Sequence, residues 1–249
     1  MIKIARGTLP EPTTVQLEHR TELLAGTATA QQGSQAKRLW KSSSFRRQVY
    51  PVLREALNEM APGLQRCMFC GDSEGTAVDH FEPMAHTPLR TFDWLNHVLA
   101  CSKCNSEFKQ DRFPLAPDGT PLLIDPTSQD PADHLHLLLA IGEYRGLTTQ
   151  GTTTIGVLQL NRGVLVAGRR RVYRTTAWCL ADWHAAQETG QAQDAAELRQ
   201  MLWEQPLADV VDAMLRQAEA PGAEDIFADD IRTLTLLRDP KLRAALLPE

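Results

Sequence analysis

Cys67-Met68-Phe69-Cys70-Gly71, then Ala77-Val78-Asp79-His80-Phe81-Glu82-Pro83, then Asn96 and Cys101-Ser102-Lys103-Cys104-Asn105: this stretch decides how the chain is read. Structural zinc takes four soft ligands in a tetrahedron, and a tight C-x-x-C turn turns two thiolates toward one ion. Two such turns, separated by 30 residues, complete a four-cysteine set of Cys67, Cys70, Cys101 and Cys104. Gly71 supplies the backbone freedom that the first turn needs. Reduced cysteines packed as small hydrophobes, or a redox pair, are the bland alternatives, and the doubled spacing argues against both. The fifth cysteine, Cys179, has no pair and reads as a buried small residue.

Between the two pairs an apolar approach delivers Asp79 and His80 together and then stops at Pro83. On a strand these two side chains point to opposite faces, so the pair belongs at a strand end or turn. Phosphodiester cleavage needs a base to activate water and a divalent cation to neutralise charge on the phosphate. Histidine suits the first task, and hard oxygen ligands suit the second.

The order of cysteine pair, Asp-His, loop, Asn and a second cysteine pair followed at once by Asn resembles the HNH endonuclease family. The resemblance implies a zinc-bound ββα-metal finger over residues 67–112. In it His80 ends the first strand as general base, Asp79 and Asn105 hold a catalytic metal, and Asn96 braces the loop that orients His80. Asn105 stands where many members carry His, and an amide oxygen is a harder ligand than imidazole. That shifts the expected catalytic ion toward Mg2+ or Mn2+, with Zn2+ kept for the cysteines. His97 is out of step with the motif and reads as a packing or substrate-side residue. His86, His134 and His136 read as unrelated to the chemistry.

Around the finger the expected fold class is α+β, a mostly helical protein. Residues 1–66 read as an arm, with a short helix near Val15 to Leu24, followed by a helix from Phe45 to Met60 that Pro51 kinks or delays. Residues 113–151 read as a Pro-rich connection of irregular chain. Residues 152–249 read as a helical region, with helices over 152–186, 192–204, 207–218 and 226–246. With 43% apolar residues the chain can bury a sizeable core. No run of 18 apolar residues occurs, and the opening stretch lacks the hydrophobic core of a secretory signal, so a soluble cytoplasmic protein with no membrane partner is expected.

A net charge of -5 excludes a uniformly basic coat, but the charge is unevenly spread. Residues 1–66 carry ten Lys or Arg against five acids, and 161–174 carry five Arg and no acid. Lys103 and Lys109 in the finger, Arg46 and Arg47 near the first helix, and Arg169, Arg170, Arg171 and Arg174 are the expected contacts to DNA phosphates. A solvated helix face, or ion pairs to the acidic C-terminal region, is the other reading of the arginine run.

Softer motifs extend the resemblance over roughly residues 1–175: Met1-Ile2-Lys3-Ile4-Ala5-Arg6, the stretch from Ile124-Asp125-Pro126 to Leu135, and Leu158-Gln159-Leu160-Asn161-Arg162. They are similar to the HNH nucleases of Septu-type and retron-associated antiphage defence systems. That likeness implies an effector nuclease controlled by a partner ATPase with an ABC-type or SMC-like head, since the chain has no Walker motif of its own. Two other readings stay open: a non-catalytic zinc module that binds nucleic acid or protein, and a stand-alone restriction or homing nuclease.

Overall fold

Val78, Val98, Leu99 and Ala100 are all buried, so the short strands between the cysteine pairs are covered by protein on both faces. In the computed structural model, which describes residues 1–190 and 195–247, β1 (Ala77–His80) runs antiparallel to β2 (His97–Ala100). The register sets Asp79 opposite Val98 and His80 opposite His97. A seven-residue helix, Lys103–Lys109, follows at once. It is wound wide, as a π-helix: the Gln110 N–H donates to Asn105 O at 2.7 Å, five residues back. The two strands therefore lie between the cysteine pairs, and the short helix begins inside the second pair, at Lys103.

A two-stranded ribbon is marginal alone and needs a third surface. Helix α4 (Tyr50–Met60) supplies it, packing on both strands through a face that buries Leu53 and Leu57. Pro51 sits in the first turn of α4, where its missing N–H costs nothing. The helix expected over 45–60 is therefore two: α3 (Ser43–Gln48), capped by the Ser42 side chain, ends at Val49 before α4 begins.

The N-terminal arm is more ordered than expected. After an extended stretch come α1 (Glu11–Ala25) and α2 (Thr29–Trp40). Only Thr13, Leu17 and Leu24 of α1 are buried, so its apolar stripe is too thin to read from periodicity. The Pro-rich connection also hides structure. Its β3 (Leu135–Leu138) and β4 (Glu143–Gly146) form a second antiparallel hairpin, with Leu135, Leu137 and Tyr144 turned inward. Gly151 is needed where α5 (Thr149–Leu158) meets this hairpin, because a Cβ there would lie 1.9 Å from His134 O.

Helix α6 (Gly163–Glu188) is the longest element, followed by α7 (Ala195–Glu204), α8 (Asp209–Gln217), α9 (Ala223–Ile226), α10 (Ile231–Arg238) and α11 (Pro240–Leu246). The helix expected from 192 begins within positions that lie outside the described residues. One hydrophobic core runs from Met1 to Leu246 and passes through the finger, so the segment 67–112 is built into the protein. The Leu207 N–H donates to Gly71 O at 2.8 Å, fastening the C-terminal helices to the first knuckle. Among the described residues no helix is long and apolar enough to cross a membrane.

Candidate metal centre and active site

Cys67, Cys70, Cys101 and Cys104 converge as the two knuckles face each other across the start of β1 and the end of β2. All four are buried, and their sulfur atoms lie within 4.8 Å of one another. A tetrahedron with Zn–S bonds of about 2.3 Å has sulfurs about 3.8 Å apart, so a small inward shift closes the set around an ion. Cys70 Sγ and Cys101 Sγ are already 3.9 Å apart. Hydrogen bonding from Cys101, Cys104 and Cys67 pulls the Cys70 thiol down toward thiolate, the form that binds metal. At Gly71, φ is +69°, the left-handed turn that lets its N–H return to Cys67 O at 2.8 Å. The four cysteines can hold a metal ion such as zinc.

Arg162, just ahead of α6, leans on this cluster; the sequence marks it as the end of the Leu158 to Arg162 motif and as part of the basic block but does not point to the cysteines. Burial works against its charge, but interaction with Cys70, Cys104 and Cys101 outweighs that and raises its pKa. Its guanidinium carbon also lies 5.3 Å from the centre of the Phe108 ring. Four thiolates on one Zn2+ leave a net negative centre, and a hydrogen-bonding guanidinium beside it offsets part of that charge.

His80 closes β1. Its ring sits 4.4 Å from that of Trp40 at the end of α2 and 5.0 Å from that of His97. Its Nε2 is 3.0 Å from Thr91 O, and His97 Nε2 is 3.0 Å from the same oxygen. A carbonyl oxygen only accepts, and it has two lone pairs, so both imidazoles donate to it from protonated Nε2. The basic lone pair of His80 is therefore on Nδ1. That atom has no partner among the described residues, yet it is not one of the sealed, unsatisfied atoms, whereas Nδ1 of His97 is. Burial, reinforced by His97 and Lys109, pushes His80 well below its ordinary pKa, and burial brings His97 down to about 4. Both rings are neutral at pH 7.

Asn96, fully buried, holds the loop between the strands. Its Oδ1 accepts from the Glu82 N–H at 2.7 Å, and its Nδ2 donates to Glu82 O and Arg90 O, each at 3.0 Å. Glu82 and Arg90 form an ion pair across the same loop. Thr91 is thus delivered to the two histidines by a loop that Asn96 closes.

The expected oxygen site for Mg2+ or Mn2+ is not assembled. Asp79 points to the opposite face of the strand from His80 and is only 5% exposed. Its Oδ2 lies 3.0 Å from Lys109 Nζ, and its Oδ1 accepts from that ammonium at 3.3 Å. Burial pushes the Asp79 carboxyl up, and Lys109 opposes the shift. Asn105, half-buried on the same short helix, makes no side-chain hydrogen bond to Asp79 or His80. A divalent ion about 4 Å from an ammonium is repelled by roughly 8 kcal/mol at an effective dielectric of about 20. The donor set therefore does not fit that ion while Lys109 stays in place.

Two residues expected at DNA phosphates are corrected here. Lys109 is completely buried against Asp79. Arg169 is buried too, facing Asp209 at 3.3 Å, donating to Leu160 O and Gly142 O, and lying over the Tyr144 ring. A phosphate reaches neither without unfolding the surroundings. The other basic residues stay at the surface: Lys103 pairs with Glu107, Arg46 stacks on Tyr50, Arg47 bonds Ser43 O, and Arg170, Arg171 and Arg174 are exposed on α6. Arg170 and Arg174 line one cavity with Asp229 and Asp230, so the acidic C-terminal helices approach part of this face.

The opening motif Met1 to Arg6 packs beside the site. Arg6 donates to His97 O at 2.8 Å and bonds Thr127, and its guanidinium lies 5.0 Å from the centre of the Trp94 ring.

No family model and no curated protein matches this chain.

Proposed function

We propose that the chain is a metal-dependent endonuclease of the HNH type that hydrolyses phosphodiester bonds of DNA, with His80 as its general base. The observation that carries the reading is the state of His80. It is a neutral imidazole held through Nε2–H to Thr91 O, and its one unbonded polar atom, Nδ1, lies at the end of β1. Such a nitrogen takes a proton from water as the water oxygen attacks phosphorus, while the bond to the leaving oxygen breaks. Asn96 serves this step as a positioning residue, because it closes the loop that presents Thr91. The cysteine cluster acts structurally, with zinc fixing the strand and helix that meet at Asp79 and Lys109. Exposed Arg170, Arg171 and Arg174 supply positive charge for a DNA backbone.

Control by an ATPase partner with an ABC-type or SMC-like head, as in antiphage defence, belongs to the same proposal. The softer motifs support it, and Arg6 from the first of them is bound directly to the strand that carries His97.

A second reading has a specific observation in its favour. Asp79 is neutralised by a buried lysine and His80 is packed under Trp40, as suits a zinc module that has kept its fold for binding alone. Zinc-loaded protein incubated with supercoiled plasmid and Mg2+ or Mn2+, with and without a candidate ATPase partner, separates the two. Nicked or linear product supports the nuclease. Intact plasmid under every condition supports the binding module, and cutting at fixed sites without any ATPase points to a stand-alone nuclease.

A further inference from the structure

Trp178 stands 71% exposed on α6, while Trp40 and Trp183 are buried and the indole N–H groups of Trp94 and Trp203 donate to Gly7 O and Leu246 O. Among the described residues the Trp178 N–H makes no hydrogen bond. A tryptophan left in water forgoes about 150–250 Å² of burial, and its neighbours on the helix supply a reason. At about 100° per residue, the buried Leu165, Arg169, Thr176, Leu180 and Trp183 fall within about 60° of one another around α6. Ala167, Arg171, Arg174, Trp178 and Ala185 fall within about 60° on the opposite side, and all are exposed. The outward line of the helix is therefore two guanidiniums followed by an indole, with an alanine at either end. No acid occurs on α6 before Asp182. Among the described residues neither Arg171 nor Arg174 makes an ion pair, although Arg174 borders the cavity that holds Asp229 and Asp230.

An anion with flat faces fits this line. Arginines take phosphate oxygens, and an indole takes the face of a base. A duplex offers only the first, because its bases are stacked on one another and show their edges in the grooves. A single indole on a convex helix meets a base face only where the strand is unpaired. An acidic protein would also satisfy the arginines, but an anchor in such an interface is ringed by groups that exclude water, and the flanking alanines leave Trp178 open.

We infer that the outward face of α6 from Arg171 to Trp178 binds an unpaired DNA strand, with phosphates on the two arginines and a base stacked on Trp178. That this strand is the one cut rests on the nuclease reading, while the binding itself does not. Helix α6 starts against the finger, where the Arg162 guanidinium lies 5.3 Å from the centre of the Phe108 ring. At about 1.5 Å per residue, Trp178 is about 24 Å along the helix from Arg162. A strand of about seven nucleotides at roughly 3.4 Å each spans that distance, within the usual size of a single-strand site. Melted or single-stranded DNA is then the preferred substrate.

Fluorescence anisotropy on zinc-loaded protein tests this, without Mg2+ so that nothing is cut. The labelled probes are oligothymidine of about 16 nucleotides, an abasic strand of the same length and charge, and a duplex of that length. Trp178→Ala is expected to bind oligothymidine about tenfold more weakly than wild type, the worth of one stacked base, and to bind the abasic strand and the duplex within about twofold of wild type. Trp178→Phe keeps a ring and is expected to fall between. Arg171→Gln/Arg174→Gln is expected to weaken binding to all three probes.

Oligothymidine affinity that is unchanged in Trp178→Ala overturns the inference, as does an equal loss on the abasic strand or on duplex. Wild type that binds no oligothymidine overturns it too. A protein that behaves as expected here yet never cuts DNA removes the nuclease reading alone. Cleavage by a protein whose strand binding is indifferent to Trp178 removes this inference alone.

Discussion

His80 and His97, opposite each other on neighbouring strands, donate to one acceptor, the carbonyl oxygen of Thr91, each at 3.0 Å. One backbone atom thereby sets the tautomer of both rings. In nitrogen-detected NMR at pH 7, both imidazoles are expected as the neutral Nε2–H form. A protonated Nδ1 on His80 at that pH would put the ring's lone pair on Nε2, against Thr91 O, and contradict Nδ1 as the base.

Acid stability follows from the same burial. The folded-state pKa of both histidines lies below the unfolded value of about 6.5, so below that pH the unfolded chain takes up protons that the native state refuses. The stability they contribute is complete above about pH 6.5 and falls away with acid, at about 1.4 kcal/mol per pH unit for each histidine. For His97 the loss runs down to about pH 4. In urea unfolding at pH 7 and pH 5, His97→Gln is expected to show a smaller acid loss than wild type. The cysteines and Asp79 titrate in both proteins, so the difference reports His97 together with the part of the His80 shift that His97 imposes. Equal losses would contradict its burial as a neutral ring.

Removal of one zinc ligand tests the metal centre. Cys67→Ser is expected to lose both the metal and the fold of the finger, seen as no zinc by mass spectrometry and no cooperative thermal transition. Arg162→Ala keeps the fold but gives up its contact with Cys70, so chelator-driven zinc release is expected to quicken by about tenfold, with Arg162→Lys in between. Unchanged release from Arg162→Ala would mean that this guanidinium does not serve the centre.

The arginine run on α6 divides into two kinds of residue. Arg171→Gln/Arg174→Gln is expected to leave thermal stability unchanged, to weaken DNA binding and to reduce the salt dependence by about 0.9 log units per lost phosphate contact. Arg169→Ala leaves Asp209 the Met1 ammonium and the Tyr144 hydroxyl but removes a buried charged partner and the donor to Leu160 O and Gly142 O, so a loss of about 1–3 kcal/mol in unfolding free energy is expected. DNA affinity unchanged by the double substitution would assign the exposed arginines to the neighbouring acidic helices.

The metal centre was legible because its chemistry is written in spacing: two C-x-x-C turns predict a cluster whatever lies between them. The loop bonds of Asn96 were within reach only through the resemblance, which implies an asparagine brace at that position. What stayed hidden depends on backbone atoms or on residues distant in the chain. Thr91 acts through its carbonyl, which any residue type provides, and Trp40 reaches His80 from another helix. Lys109 and Arg169 were misread for a shared reason, because a basic residue looks solvent-facing in a sequence until its buried acid is known. For Lys109 that acid is Asp79, 30 positions away, and for Arg169 it is Asp209, 40 positions away. The β3–β4 hairpin was masked by the prolines on its approach, and α1 by its thin apolar stripe.

Cleavage of supercoiled plasmid by wild type and by His80→Ala, each shown to carry its zinc, tests the central claim most directly. A general base contributes at least about a hundredfold, so His80→Ala is expected to cut at least that much more slowly in Mg2+ while retaining the metal. Equal cutting by the two proteins would contradict the assignment of His80, and with it the chemistry built on Thr91 and Asn96.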